Sequence, residues 1–446
     1  MKNPFPLDKA ALDGMFSWAR EHISSGPDPR NGAQTYEVLK EALSGAITED
    51  GLSSDKAFEL FSDVIVPSTR PFSHPTSLAF VAAAPSPASL GMDVALGAAD
   101  IFAGNWDGGS GAIYAENQTL GWLASLAGWP NNAGGVFVSG GTMGNLSALH
   151  AARANRMRTL DCRPDRWRIL CSTEAHSSIT AVAHVMDAEL IKVPTDDNGH
   201  MSAQAAREAL TDPKSVFAIV ANAGATNCGA IDDLTGLAAL AQEHDIWLHV
   251  DGAYGLAALA DPEMRLQFAG LEHADSFIVD PHKWLFAPYD SCALVYRDPI
   301  KGAQAHGQQG AYLDTLDQSA WNPSDYALHL TRRPRGLPLW FSLVTYGTKA
   351  YETAIHQTRE IAQSIADGIE ETDGLELILG PQVTVILFRA TKLTADEIDV
   401  WAETQRRSGA LLCLPTTWRE EKVLRICVVN PQTDPEYVLE VLKTLT

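Results

Sequence analysis

Residues 276–284 of the chain read Ser-Phe-Ile-Val-Asp-Pro-His-Lys-Trp. The short apolar run at 277–279 predicts a buried strand, and Pro281 ends it because proline cannot donate a backbone hydrogen bond to a sheet. His282 and Lys283 then lie just past the carboxyl end of this strand, where open α/β sheets place their ligands. A lysine there can lose its proton and bind an aldehyde covalently, although a lysine taken at random is more often a solvated loop residue.

This strand is one of several short apolar runs that alternate with helical patterns between residues 136 and 297. Such an alternation predicts a mostly parallel sheet covered by helices on both faces, the α/β class. The seven runs that we interpret as strands are residues 136–138, 168–171, 190–193, 217–220, 246–250, 277–279 and 292–296.

The two ends of the chain differ from this middle part. Residues 1–70 have apolar residues at helical spacing and no convincing strand, which predicts a helical segment that packs on its own subunit or on a partner subunit. Residues 71–340 would form the large domain, and residues 341–446, in which helices and strands alternate again, a smaller α/β domain. Within these domains, residues 104–111 predict a flexible loop and residues 337–354 a single long helix.

Composition excludes several classes of protein. The 446 residues are 46% hydrophobic and 20% charged, which is typical of a globular protein with ample core. The formal net charge of −22 argues against nucleic acid or an anionic membrane as the main partner. The six cysteines form no CxxC pair, so we expect reduced thiols rather than a disulfide framework or a metal site. No signal peptide or membrane-spanning run is recognisable, and we expect a cytoplasmic protein.

The loop after the first predicted strand, residues 139–145, reads Ser-Gly-Gly-Thr-Met-Gly-Asn and leads directly into a predicted helix. Free N–H groups at the start of a helix, with Gly141 and the Thr142 hydroxyl, can bind a phosphate. The loop is neither a GxGxxG dinucleotide fingerprint nor a P-loop with GK[ST]. Taken alone, it is more often a simple turn.

Four further residues follow the ends of other predicted strands. His176 could stack on a planar ligand, and the hydroxyl of Thr226 could donate a hydrogen bond to it. Asp251 could pair with a protonated ring nitrogen, and Ala253 is small enough for a flat ring to lie against it. Each has an ordinary structural alternative, such as a satisfied core histidine or a helix N-cap aspartate.

The carboxyl ends of parallel strands meet at one edge of a sheet, so these residues should lie together. A phosphate site, a stacking histidine, a hydroxyl, an aspartate and a lysine are the groups that pyridoxal phosphate (PLP) requires. The combination therefore predicts a PLP enzyme, although each residue alone is ambiguous.

Over residues 74–431 the chain resembles the group II PLP-dependent amino acid decarboxylases, which include aromatic-L-amino-acid, glutamate and histidine decarboxylases. The most specific motifs are His-Val-Asp-Gly-Ala-Tyr at 249–254 and Asp-Pro-His-Lys-Trp at 280–284. The stretch 332–347, with Arg-Arg and then Leu-Trp-Phe, and residues 425–431 are also similar to the family.

The resemblance implies a homodimer of PLP-dependent transferase fold type I, with a seven-stranded, mostly parallel sheet and active sites shared between subunits. Residues 1–70 would then pack on the dimer partner. The implied roles are a Schiff-base lysine for Lys283, a pyridine-nitrogen partner for Asp251 and a ring-stacking residue for His176. Gly141, Thr142 and His282 would hold the phosphate, and Thr226 and Ala253 would contact the cofactor.

Tyr312 matches a tyrosine in the mobile loop of the family that protonates the carbanionic carbon after CO₂ leaves. Relatives that convert amino acids to aldehydes tend to have phenylalanine there, so Tyr312 favours simple decarboxylation. The alternatives left open are another reaction on the same fold, namely aldehyde formation, transamination or lysis.

Three residues of the pocket region depart from the family. Asp280 stands where many members have asparagine. Gly104 stands where aromatic-acting members often have phenylalanine, and Thr331 where they often have glycine or serine. An additional carboxylate near a phosphate is unfavourable unless it points away. Residues 71–152 contain no lysine or arginine, which disfavours an acidic substrate. We expect an aromatic amino acid as substrate, with glutamate, aspartate or diaminobutyrate as alternatives.

Overall fold

The computed structural model describes residues 5–307 and 320–446. Its larger sheet has seven strands, in the spatial order β1-β7-β6-β5-β4-β2-β3. These strands are β1 Gly134–Val138, β2 Trp167–Ser172, β3 Ala188–Val193, β4 Val216–Asn222, β5 Trp247–Asp251, β6 Ser276–Val279 and β7 Cys292–Tyr296. Only β7 runs antiparallel to its neighbours, which confirms the predicted mostly parallel sheet.

Helices surround this sheet and the smaller one that follows it. In the N-terminal part they are α1 Lys9–Ser25, α2 Tyr36–Ala42, α3 Ser54–Leu60, α4 Pro87–Ala99 and α5 Trp106–Leu126. In the region of the large sheet they are α6 Gly141–Thr159, α7 Ser177–Val185, α8 Ala203–Ala209, α9 Leu234–Glu243, α10 Pro281–Trp284 and α11 Pro299–His306. Beyond it come α12 Leu337–Tyr346, α13 Thr348–Glu370, α14 Ala395–Ser408 and α15 Pro435–Leu442.

Alternate residues of the strands enter two hydrophobic cores, one on each face of the sheet. Phe277 and Val279 pack into the core beneath α5 and α9, whereas Ile278 between them packs into the core beneath α6 and α7. This follows from the two-residue period of a strand, whose successive side chains point to opposite faces. Because both faces are covered, β4 is buried along its whole length.

The second sheet is antiparallel, in the order β10-β11-β9-β8. Its strands are β8 Leu375–Leu379, β9 Val385–Ala390, β10 Leu414–Trp418 and β11 Glu421–Cys427. The sequence did not predict β10, whose residues Pro415, Thr416 and Thr417 give no apolar run. Apolar residues of α13, α14 and α15 share a core with this sheet, which accounts for a smaller C-terminal α/β unit.

Two local predictions were wrong. Residues 337–354 form two helices rather than one, because Gly347 has a φ of +77° and separates α12 from α13. Residues 104–111 are not entirely a loop, since α5 begins at Trp106 and the Asn105 side chain accepts a hydrogen bond from the Gly108 N–H. The boundaries at residues 70 and 340 remain predictions.

Among the helices in the described parts of the chain, none combines the length and the apolar character needed to cross a bilayer.

Candidate active site

The carboxyl ends of the parallel strands surround a cavity of about 360 Å³. Eight of the nine residues predicted for the site line it: Gly141, Thr142, His176, Thr226, Asp251, Ala253, His282 and Lys283. The ninth, Tyr312, lies outside the described residues. They lie at or just after the carboxyl ends of β1, β2, β4, β5 and β6. The order of the strands therefore brings together residues that are up to 142 positions apart, from Gly141 to Lys283.

Lys283 lies in α10, the short helix that follows β6. Its Nζ is 3.0 Å from Oδ2 of Asp280, and its side chain is 22% exposed. Burial lowers the pKa of the Lys283 amine, but the charges of Asp280 and Asp251 together outweigh this effect, so the pKa lies above its usual value. The lysine is therefore an ammonium ion, in contact with Asp280 and stabilised also by the charge of Asp251.

Asp280 is the buried counter-ion of that lysine, with 2% of its side chain exposed. The carboxylate points into the cavity, towards Lys283, and its Oδ2 lies 3.6 Å from Nε2 of His282. Its other oxygen, Oδ1, has no hydrogen-bond partner among the described residues. Asp280, which stands where many family members have asparagine, therefore balances the charge of Lys283 in the site.

The start of α6 forms another wall of the cavity. Among the described residues, no side chain caps this helix, so its first N–H groups remain available to an anion. Space is limited there, since a Cβ on Gly141 would lie 3.2 Å from Asp280 Oδ2 and 3.4 Å from Ala253 Cβ. A glycine at this position lets a ligand approach the helix backbone closely.

Asp251 is the last residue of β5 and is buried. Its Oδ1 accepts a hydrogen bond from the Ala253 N–H at 3.2 Å, and its Oδ2 accepts one from Nδ2 of Asn145 at 2.9 Å. Both donors are neutral, so the protein provides this carboxylate with hydrogen bonds without neutralising its charge.

His176 precedes α7, and its Nδ1 accepts a hydrogen bond from the Ser178 N–H at 3.2 Å. The Ser178 hydroxyl lies 2.9 Å from the same nitrogen. These two contacts hold the imidazole at the rim of the cavity with a defined orientation. Thr226 also lines the cavity, and its carbonyl oxygen accepts hydrogen bonds from Arg425.

The pyridoxal-dependent decarboxylase conserved domain matches residues 37–391. The chain belongs to this family. It is 29% identical over 424 residues to an aromatic-L-amino-acid decarboxylase from Bacillus atrophaeus, covering 91% of this chain and 88% of that protein. It is also 29% identical over 390 residues to an L-2,4-diaminobutyrate decarboxylase from Rhizobium meliloti, covering 83% of this chain and 77% of the relative.

The fold of this decarboxylase is confirmed by a solved structure. Oryza sativa TDC, with PLP and tryptamine, matches it with a TM-score of 0.91 at 22% identity, covering 100% of this chain and 98% of the other. The chain is a PLP-dependent amino acid decarboxylase, a carboxy-lyase of fold type I, as the sequence predicted. The two relatives named above have the same identity and different substrates in their names, so the substrate is not decided by similarity.

The cavity of the decarboxylase fits PLP in its chemistry. An uncapped helix start suits the phosphate, an amine at Lys283 suits the aldehyde, and a carboxylate at Asp251 with only neutral partners suits a protonated ring nitrogen. Gly141 leaves open the space at the helix start that a side chain would fill.

A second cavity of about 370 Å³ adjoins the first and shares His176 and Thr226 with it. Phe80, Glu174 and Arg425 contribute to its walls. The Arg425 guanidinium donates to the Thr226 carbonyl oxygen from Nε at 3.0 Å and from Nη2 at 2.5 Å. Its Nη1 donates to the Phe80 carbonyl oxygen at 2.6 Å.

Several residues of the site had no predicted role. Asn145 was within the quoted loop, but its partners across the sheet depend on strand order and not on local sequence. Tyr289 and Asp290 also line the first cavity. Arg335 is paired with Asp290 at 3.1 Å.

Proposed function

We propose that this enzyme decarboxylates an aromatic L-amino acid to the corresponding amine and CO₂, at the cavity that surrounds Lys283. The supporting observation is that the eight described residues predicted for the site line one cavity, which shares His176 and Thr226 with a second cavity that has Phe80 in its wall. The aromatic-L-amino-acid decarboxylase among the relatives supports the same substrate class.

PLP, when bound, supplies the electron sink for breaking the bond between Cα and the carboxylate. Lys283 would hold it through its amine. The N–H groups at the start of α6, including that of Gly141, would hold the phosphate with the Thr142 hydroxyl and His282. A helix start suits an anion because the partial positive charge of its N–H groups is not neutralised within the helix.

The remaining four residues would fix the ring. Asp251 would pair with the ring nitrogen and keep it protonated, since a carboxylate with neutral partners favours a nearby positive charge. His176 and Ala253 would lie against the ring, and Thr226 would donate a hydrogen bond. Tyr312 stays the predicted donor of the proton to Cα, and His176 is the alternative donor.

A cationic substrate, such as diaminobutyrate, is the second candidate. Glu174 lines the second cavity, where burial raises the pKa of its carboxyl group. A half-buried carboxylate such as that of Glu174 gains stability from a substrate ammonium group. The diaminobutyrate decarboxylase among the relatives supports the same alternative.

A product assay tests the proposal. The purified, PLP-loaded protein is incubated with each common amino acid and with diaminobutyrate, and the products are identified by mass spectrometry. An amine from aromatic substrates supports the proposal, an amine from diaminobutyrate alone moves the substrate to the second candidate, and a keto acid or aldehyde contradicts simple decarboxylation. Phe80→Ala should raise KM for an aromatic substrate, whereas Glu174→Gln should raise it only for a cationic one.

The enzyme would act as a homodimer with shared active sites, in which residues 1–70 contact the partner. Large apolar side chains are exposed on helices that pack on one another, namely α1, α4, α5 and α12. They are Leu12, Phe16, Val94, Tyr114, Phe341, Val344 and Tyr346. Exposed apolar surface of this kind marks an interaction site. Light scattering should give the mass of a dimer, and Val344→Glu should shift the measured mass towards that of the monomer.

Localisation in the cytoplasm remains a prediction.

A further inference from the structure

A chain of buried hydrogen bonds runs from the core of the large domain to Asp251. Trp247 Nε1 lies 2.8 Å from Ser276 Oγ, and this oxygen lies 2.8 Å from Nδ1 of His249. His249 Nε2 lies 2.8 Å from Oδ1 of Asn145, whose Nδ2 lies 2.9 Å from Asp251 Oδ2. Four of these five side chains belong to β5 and β6, and Asn145 alone reaches across from α6.

The donor and acceptor groups of these five side chains fix the direction of each hydrogen bond that links them. The Asp251 carboxylate only accepts, so the Asn145 amide must present its NH₂ group to it and its oxygen to His249. His249 therefore carries its proton on Nε2. Because burial lowers the pKa of His249 to about 4, the ring is neutral at pH 7, and its Nδ1 accepts from the Ser276 hydroxyl. The indole N–H of Trp247 then donates to Ser276.

A branch of the same series of hydrogen bonds reaches His176. Asn145 Nδ2 also lies 3.0 Å from Ser178 Oγ, and Ser178 Oγ lies 2.9 Å from Nδ1 of His176. Since Ser178 accepts from Asn145, its own hydroxyl proton is free to point to His176 Nδ1. The same nitrogen also accepts from the Ser178 N–H at 3.2 Å, so a neutral His176 carries its proton on Nε2.

We propose that Asn145 is a positioning residue that sets the orientation of the Asp251 carboxylate and, by directing the Ser178 hydroxyl proton to His176, reinforces the tautomer that the Ser178 N–H also favours. His249 holds Asn145 in place. The inference rests on the proposed roles of Asp251 and His176 toward the cofactor. One amide thus connects the two residues on which the ring would depend. Loss of either of its hydrogens leaves a buried acceptor without a donor, which is more costly than loss of an exposed hydrogen bond.

The experiment compares four variants as full-length protein: Asn145→Ala, His249→Leu, His249→Gln and the double variant Asn145→Ala with His249→Leu. Three quantities are measured: the affinity of the cofactor-free protein for PLP, the visible absorption of the loaded enzyme across pH, and kcat and KM separately. Asn430→Ala is the control for removal of a buried asparagine, because its Nδ2 donates to the Ser73 carbonyl at 3.1 Å, outside both cavities.

Asn145→Ala should weaken PLP binding by roughly 10-fold or more and should lower kcat by a similar factor. It should also change the pH at which the visible absorption shifts. KM should stay within about 3-fold of the wild-type value. His249→Leu should show the same changes. His249→Gln should retain most of the wild-type behaviour, because its amide can still donate to Asn145. The double variant should be no worse than Asn145→Ala alone, since residues that act through one another are not additive.

Wild-type affinity, absorption and kcat in Asn145→Ala would overturn the proposal, and so would purely additive losses in the double variant. If Asn145→Ala does not fold, equal behaviour of His249→Gln and His249→Leu overturns it instead. Asp251→Asn separates this inference from the proposed function. An unimpaired Asp251→Asn enzyme refutes the role of Asp251 itself, whereas an impaired one beside an unimpaired Asn145→Ala refutes the positioning role alone.

Discussion

Replacing Lys283 by alanine should destabilise the cofactor-free protein as well as abolish turnover. The reason is Asp280, which has 2% of its side chain exposed and relies on the Lys283 ammonium group 3.0 Å away as its counter-ion. Its second oxygen has no hydrogen-bond partner within the described residues. Alanine at position 283 would leave this carboxylate buried without its ammonium counter-ion, and among the described residues only the imidazole of His282, 3.6 Å from Oδ2, would remain as a basic group beside it. Burial lowers the pKa of His282, which disfavours the charged form of that ring.

The size of the effect follows from the distance and the burial. Two unit charges 3.0 Å apart attract by about 5.5 kcal/mol at an effective dielectric constant near 20. Removing one partner of a buried pair costs about 3–5 kcal/mol in practice. Because Lys283 keeps 22% of its side chain exposed, we expect the lower end, about 3 kcal/mol. The raised pKa of Lys283 means that this contribution is present throughout neutral pH and is lost only as the pH rises above that of a free lysine, about 10.4.

Urea unfolding of cofactor-free proteins at one protein concentration measures the loss. Lys283→Ala should lower the free energy of unfolding by about 3 kcal/mol, and adding Asp280→Asn should restore most of it, since the stranded charge is then gone. Neither variant should turn over substrate. Lys301→Ala is the surface control, because Lys301 lies 3.7 Å from Asp275 with 36% of its side chain exposed, and it should cost less than about 1 kcal/mol. A Lys283→Ala protein as stable as the wild type, or one that Asp280→Asn does not rescue, would refute the reasoning.

Three further outcomes are expected. Glu116→Ala should cost about 3–5 kcal/mol in urea unfolding, because it strands the buried Arg332 guanidinium, whose Nη2 lies 2.5 Å from Glu116. Burial lowers the pKa of His306 to about 4, so between pH 6.5 and 4 the unfolded chain binds a proton that the folded protein does not, and stability falls with pH. His306→Gln, which can still donate to the Ser147 carbonyl, should remove about 3 kcal/mol of that fall, measured by unfolding at pH 7 and pH 4. Tyr312→Phe should divert part of the product from amine to aldehyde, detected by mass spectrometry; an unchanged product profile would remove Tyr312 from its predicted role.

The location of the site was predictable from the sequence because parallel strands end at a common edge. His176, Asp251 and Lys283 each follow a recognisable apolar run, and this rule alone places them together. The break at Gly347 was not predictable, because apolar spacing continues on both sides of it and only the backbone angle reveals the turn. The strand β10 was missed because its residues are polar and pair with β11 through the backbone.

The partners of the site residues were also beyond sequence reasoning. Asn145 meets Asp251 and His249 only because α6 packs across β5, and local periodicity contains no information about that packing. The sequence showed that Asp280 departs from the asparagine of many family members, but it did not show where the Asp280 side chain points. The structure shows it turned towards Lys283, so the charge that a nearby phosphate would disfavour is already compensated.

Two carboxylates in one cavity raise the question of which one is available to a cationic ring, and their partners answer it. Asp280 has an ammonium group at 3.0 Å, whereas the described hydrogen-bond donors to Asp251 are the neutral amide of Asn145 and the neutral N–H of Ala253. Neutral donors orient a carboxylate without cancelling its charge, so the field of Asp251 remains directed into the cavity. The protein thus separates the two roles: Asp280 is paired directly with the lysine, and Asp251, which acts on the lysine only through its charge, is held by neutral donors in a fixed orientation for a cationic ring.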